Sequence, residues 1–246
     1  MFTAVLRSEW TKIRSVRSLV VCLASILVVT VAITVLVCAL SGAEDATEPD
    51  FEPVSFVFYG LNFGQVTAIC FGVLGTAGEY GTGSVRISLT AVPRRGRLYA
   101  GKLGVAGGLA LAVGLLTGFC CLLGGQALLG EHGVGPGAPG ALRAAVGCGL
   151  YLALLTVLSA GVATVLRSSV GALGLLAPLF LVVSPVLGSL SATRDAAQFL
   201  PDRAGWQMLH PVPEGALGAW SGAGVMAAWT AVAVWAGWRM LDRRDA

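Results

Sequence analysis

Residues Gly78–Lys102 read GEYGTGSVRISLTAVPRRGRLYAGK, the most polar stretch long enough to hold structure between two strongly apolar regions. Val85, Leu89 and Val92 stand at i, i+4 and i+7, which makes one apolar stripe on a short helix, with Arg86 and Ser88 facing elsewhere. Thr82 or Ser84 is placed to cap its start. Pro93 disfavours helical geometry at Val92, and Arg94, Arg95, Arg97 and Lys102 follow as a basic cluster leading into the next apolar run. A short amphipathic helix beside a basic knee suits a membrane surface.

The flanking regions fit that setting. Of the 246 residues 56% are hydrophobic and 12% charged, against about 25% charged in soluble domains, and the mean hydropathy is +0.81. About 20 apolar residues cross a hydrocarbon core, and such runs occur at 19–40, 54–77, 103–129, 144–166, 170–190 and 219–238. The expectation is a single-domain, all-α polytopic membrane protein with six transmembrane helices.

Lysine and arginine are retained on the inner side of short loops, and this bias sets orientation. With both termini inside, Arg7, Lys12, Arg14, Arg17, Arg86, Arg94, Arg95, Arg97, Lys102, Arg167, Arg239, Arg243 and Arg244 lie inside, 13 of the 16 cations. Only Arg143, Arg194 and Arg203 lie outside. Of the acids, Glu9, Glu79, Asp242 and Asp245 are inside and the rest outside. The acidic loop Glu44, Asp45, Glu48, Asp50 and Glu52 is then external, as a solvated loop or a weak gatherer of cations.

Before the first span, Phe2, Val5, Leu6, Trp10, Ile13 and Val16 recur at helical spacing opposite Arg7, Arg14 and Ser15, an interfacial amphipathic helix over residues 1–18. Glu9 projects from its apolar side and requires a cation, either Lys12 as a local surface pair or one from the basic loop. The apolar run Leu19–Leu40 exceeds the 7–15 residues of a signal-peptide core, which makes it an uncleaved first span.

In the second span Tyr59, Asn62 and Gln65 share roughly one face, so they either line a pathway or form inter-helix hydrogen bonds. Glu79 closes that span, as a solvated carboxylate or as the partner of an ion pair with a cation such as Arg86 that orients the loop helix. Gly104/Gly108 and Gly114/Gly118 permit close helix approach, although 34 glycines make chance spacings expected. Pro178 and Pro185 bend the fifth span or divide it into a re-entering half-helix. Trp206 and Trp220 mark an outer interface.

Several chemistries are disfavoured. Gly96, Gly101 and Lys102 approach a phosphate-binding loop, but Leu103 stands where a magnesium-binding hydroxyl belongs and no strand precedes it. His132 and His210 are far apart in loops, without metal-ligand spacing. The six cysteines fall inside spans as small apolar residues. No Ser/His/Asp arrangement assembles on one membrane face, so no catalytic or metal-binding residue is expected, nor is a nucleic-acid partner.

Glu79-Tyr80, Gly83, Arg86, Leu89-Thr90, Pro93-Arg94-Arg95 and Lys102 resemble the first cytoplasmic loop of ABC-2-type permeases, the membrane subunits of ATP-driven exporters, with Ser84 where the family usually has Thr. Ser8–Ser18, SEWTKIRSVRS, is similar to the opening of actinobacterial members, where a helix that here would carry Glu9, Trp10, Lys12 and Arg14 lies along the cytoplasmic face. Phe199-Leu200-Pro201, Ala204-Gly205, Pro211, Leu217, Trp220, Gly222, Trp229 and Arg243-Arg244-Asp245-Ala246 resemble their C-terminal end.

The resemblance implies a coupling helix at residues 83–92 docking on a separate cytosolic ATPase that carries ATP and magnesium. Arg86, Arg94 and Arg95 would dock or orient on that partner, and Glu79 would fix the base of the helix; attraction of the arginines to anionic lipid is the plainer alternative. It also implies a second copy or related permease and residence in the cell membrane. A non-transporting sensor or scaffold stays open, whereas a self-sufficient secondary transporter would need mid-membrane ionisable groups that the spans essentially lack.

Overall fold

The computed structural model describes residues 2–46, 51–82, 95–212 and 215–243, which are all-helical with no strand. Seven long helices organise them: α1 (Phe2–Ser15), α2 (Arg17–Leu40), α3 (Leu61–Thr82), α4 (Arg95–Leu129), α5 (Ala141–Leu166), α6 (Ser169–Ser189) and α7 (Ala219–Arg243). Six of them, α2 to α7, are long and apolar enough to cross a membrane, so the chain is a multi-pass membrane protein.

α5 is the axis of the bundle and packs on α4, α3 and α7. Small residues let it do so. A Cβ on Gly118 of α4 would lie 2.3 Å from the Ala145 carbonyl oxygen, and one on Gly114 would lie 2.9 Å from the Gly149 Cα. Gly72 of α3 and Gly161 of α5 make equally close approaches to Thr156 and Ala233. Gly104 and Gly108, at the same spacing as Gly114 and Gly118, face open space. Tyr151, Leu152, Leu155 and Cys148 of α5 are fully buried beside Phe58, Leu61 and Ile69.

Two sequence expectations are corrected. The second span starts at Leu61 rather than 54, because a single helical turn Pro53–Phe56 is followed by turns through Gly60, whose backbone presses on Thr30 of α2. The third span starts well before 103: α3 continues to Thr82 and α4 begins at Arg95, so residues 95–102 of the polar segment belong to the helix. α4 is 35 residues long, about 52 Å at 1.5 Å per residue, so it projects well beyond a core roughly 30 Å thick.

The fifth span is one helix with a defect. Pro178 supplies no backbone donor, and the following turn, Leu179–Val183, widens to π geometry before α-helix resumes at Ser184. The span runs continuously through this π turn from Ser169 to Ser189. α1 is separated from α2 by Val16 in extended geometry.

The bundle has two ends. α1, the end of α3, the start of α4, the Arg167–Ser168 turn and the C-terminal turn of α7 share one, called here the loop end. The far end carries the α4–α5 connection and a folded segment with two short helices, Arg194–Ala197 and Pro201–Trp206, after which Met208 and Leu209 are buried against the bundle.

Candidate functional site

At the loop end α1 crosses α4 and the start of α2. Val5, Glu9 and Ile13, spaced at i, i+4 and i+8, form its buried edge, while Trp10 and Arg14 are exposed. Glu9 therefore enters the bundle on the same stripe as two aliphatic residues. Beneath it Ile13, Leu19, Phe71 and Ala106 form a small apolar floor.

On that floor four charges converge from three helices. Lys12 Nζ lies 2.5 Å from Glu9 Oε2 and also contacts Glu79 Oε1 at the end of α3. Lys102 Nζ of α4 lies 2.5 Å from Glu79 Oε1 and 3.8 Å from Glu9 Oε2. Each carboxylate thus lies within ion-pair distance of both ammonium groups, and the charges of these four residues balance. Glu9 and Lys102 are buried, and the Lys12 and Glu79 side chains retain 26% and 12% exposure.

Desolvating such ions is costly, and only mutual compensation makes their burial tolerable. Burial works to lower the Lys12 pKa, but the Glu79 and Glu9 carboxylates outweigh it and leave the group above its ordinary value. Lys12 therefore stays charged at neutral pH.

Glu79 precedes segment 83–94 and Lys102 follows it, so their pair closes the base of that segment. Arg95 reinforces the same end: its Nη1 donates to the Leu241 carbonyl in the last turn of α7, 3.0 Å away, where carbonyls lack helical partners.

Gly83, Arg86, Leu89, Pro93 and Arg94 lie outside the described residues, as does the expected coupling helix 83–92; for Tyr80 the backbone alone is described, in the last turns of α3. Among the described residues the cations on Glu79 are Lys12 and Lys102; Arg86, the cation expected there, lies outside them. Glu9 takes both of the anticipated partners, the local Lys12 and a cation from the basic stretch. Lys102 as a cluster member was missed. Pro93 just ahead of a basic, then apolar, run is a helix-start signal, and following it would have put Lys102 two turns into α4.

The far end holds a neutral network. Gln65 of α3 is buried, and its Oε1 accepts from the Tyr151 hydroxyl of α5 at 2.5 Å, so this residue joins two helices. Asn62 Nδ2 instead donates to the Tyr59 carbonyl at 3.0 Å, and Tyr59 is exposed. Gln65 Nε2 also donates to the Asn62 carbonyl at 3.1 Å, so the three candidate residues are linked by local side-chain-to-backbone bonds. Trp206 packs edge-on to Tyr151, and His210 Nδ1 lies 3.1 Å from Ser55 Oγ.

Asp202, at the start of the second short helix, is buried within electrostatic reach of Tyr151. Its burial raises the carboxyl pKa, against the Ser184 hydroxyl, backbone N–H groups and Arg203, which act to lower it. Among the described residues no group of three or more His, Cys, Asp or Glu side chains is placed to hold a metal ion. No protein-family model and no curated protein matches the chain.

Proposed function

We propose that the chain is the membrane-spanning permease subunit of an ATP-driven exporter of the ABC-2 type, coupled through its loop end to a separate cytosolic ATPase. The observation that carries this reading is the Glu9–Lys12–Glu79–Lys102 cluster, which ties the interfacial helix to both flanks of the segment whose sequence resembles a coupling loop.

A push on residues 83–94 would reach the bundle through their two attachments, the end of α3 and the start of α4. Because Glu79 and Lys102 join those attachments directly, the two helices would move with the loop. Lys12 and Glu9 would carry the displacement into α1. ATP-driven closure of the partner would thereby bias the bundle between inward-open and outward-open packings, provided that loop contacts differ between the two states. In this reading both termini are cytoplasmic, the protein resides in the cell membrane, and a second copy or related permease completes the pathway.

The test is co-purification from native membranes in mild detergent, with Arg86→Glu and Glu79→Ala variants alongside. A P-loop ATPase should accompany the wild-type chain and be lost or weakened with either substitution. If none accompanies the wild type under conditions that preserve other transporter complexes, the exporter reading fails, and a sensor or scaffold takes its place.

A further inference from the structure

A groove of about 310 Å³ opens between α5 and the start of α7 at the far end, lined by Leu142, Val146, Leu150, Met208, Ala219 and Trp220. Its walls are almost entirely carbon. Arg143 stands at its edge, and its Nη2 is held by the carbonyl oxygens of His210 and Pro211 at 2.6 and 3.0 Å. Those bonds position the guanidinium without neutralising it. Its Nε is buried with no hydrogen-bond partner, and no carboxylate pairs with Arg143 among the described residues. Trp220, largely exposed, stands on the other wall, as tryptophans do at the level of lipid headgroups.

A positioned cation with no carboxylate partner among the described residues, beside an apolar slot of this volume, is complementary to one amphiphile: a hydrocarbon chain for the slot and an anion for the rim. A soluble anion would leave the slot empty, and a neutral lipid would leave the guanidinium unpaired. We propose that this groove is a specific site for an anionic phospholipid of the surrounding bilayer, with an acyl chain between α5 and α7 and its phosphate on Arg143. The bound lipid would seal α7 against α5 where Gly147 packs on Met208 instead of on α7. The inference needs only membrane insertion and is independent of the transport reading.

The full-length chain, purified in detergent and exchanged into equimolar phosphatidylglycerol and phosphatidylcholine, is examined by native mass spectrometry for retained lipid. Wild type should retain phosphatidylglycerol about fivefold over phosphatidylcholine, the ratio set by ~1 kcal/mol for one cation near a lipid phosphate. Arg143→Gln keeps a donor for the two carbonyls but removes the charge, and should abolish the preference while leaving the melting temperature of lipid-free protein nearly unchanged. Val146→Phe fills the slot with Arg143 intact and should reduce retention of both lipids. Equal retention by wild type overturns the proposal, as does a preference that survives Arg143→Gln. Unchanged retention in Val146→Phe overturns it even if Arg143→Gln fails to fold, and so does a co-purifying non-lipid amphiphile that phosphatidylglycerol cannot displace.

Discussion

At the loop end Glu9, Lys12, Glu79 and Lys102 neutralise one another as ions, whereas at the far end Gln65, Tyr151, Ser55 and His210 meet through hydrogen bonds between polar side chains. The contrast follows depth and dielectric. The charged cluster keeps partial exposure, with Lys12 open to 26%, while Tyr151 is wholly enclosed. An ion retains hydration only near an edge, and an enclosed polar group is satisfied more cheaply by a neutral partner. The two ends also differ in how they respond to movement. Hydrogen bonds are lost beyond about 3.5 Å, but Coulomb attraction falls off only as 1/r. A charged joint can therefore stretch and reform while its elements shift, whereas the Gln65–Tyr151 pair holds α3 and α5 in fixed register.

The largest effect that would break this contrast is expected from Glu79→Ala. It removes the carboxylate both lysines share and leaves the buried Lys102 and the partly exposed Lys12 with Glu9 as their one carboxylate among the described residues, a cost of about 3–5 kcal/mol. Thermal unfolding in detergent reads this, and the double variant Glu79→Gln/Lys102→Met should recover much of the loss. A change below about 1 kcal/mol would mean that the cluster behaves as an exposed surface pair.

Helix contact is the next lever. Gly118→Leu forces a side chain into the Ala145 carbonyl and should destabilise by about 1–3 kcal/mol, while Gly104→Ala, in open space, should be neutral or stabilising. Similar effects at the two glycines would refute the packing assignment.

At the far end Tyr151→Phe should cost about 1–3 kcal/mol by stranding the Gln65 amide oxygen, and Tyr151→Phe/Gln65→Leu should restore most of it. If the double variant is no better than the single one, the hydrogen bond is not what holds these helices in register.

The smallest effects concern pH: at both ends stability is lost as pH rises, in an alkaline window for Lys12 and an acidic one for Asp202. Lys12 has a raised pKa, so its stabilisation is complete below the ordinary lysine value of 10.5 and is lost as pH rises through the higher folded value. Lys12→Met should remove that alkaline decline. Asp202 is also raised, but for an acid this favours the protonated form: its contribution is best below the ordinary value of 3.8 and declines as pH rises through the folded value. Asp202→Asn should flatten the acidic limb and leave the alkaline one untouched, which unfolding midpoints across pH would show.

Particular residues mark how far sequence reading reached. Helix number and approximate bounds were legible because each run of about 20 apolar residues carries its own transfer free energy. The start at Leu61 was not, because apolar content before it is high and the break at Gly60 arises from contact with α2. Glu9 was legible as a carboxylate needing a cation, since an acid on an apolar stripe has few alternatives. Its partnership with Lys102 was not, because that depends on how far α4 extends before it enters the bundle.

Composition, hydropathy and charge asymmetry by themselves determined a six-span, all-helical membrane protein with most of its cations at one end. These are sums over local segments, each scored against lipid or water without reference to its neighbours. Which glycines touch, that Gln65 meets Tyr151, that Glu79 pairs with Lys102, and that Arg143 is held by two carbonyls beside an apolar groove were decided by the tertiary structure alone. Those facts depend on the rotation and depth of each helix, and packing against the other helices fixes both.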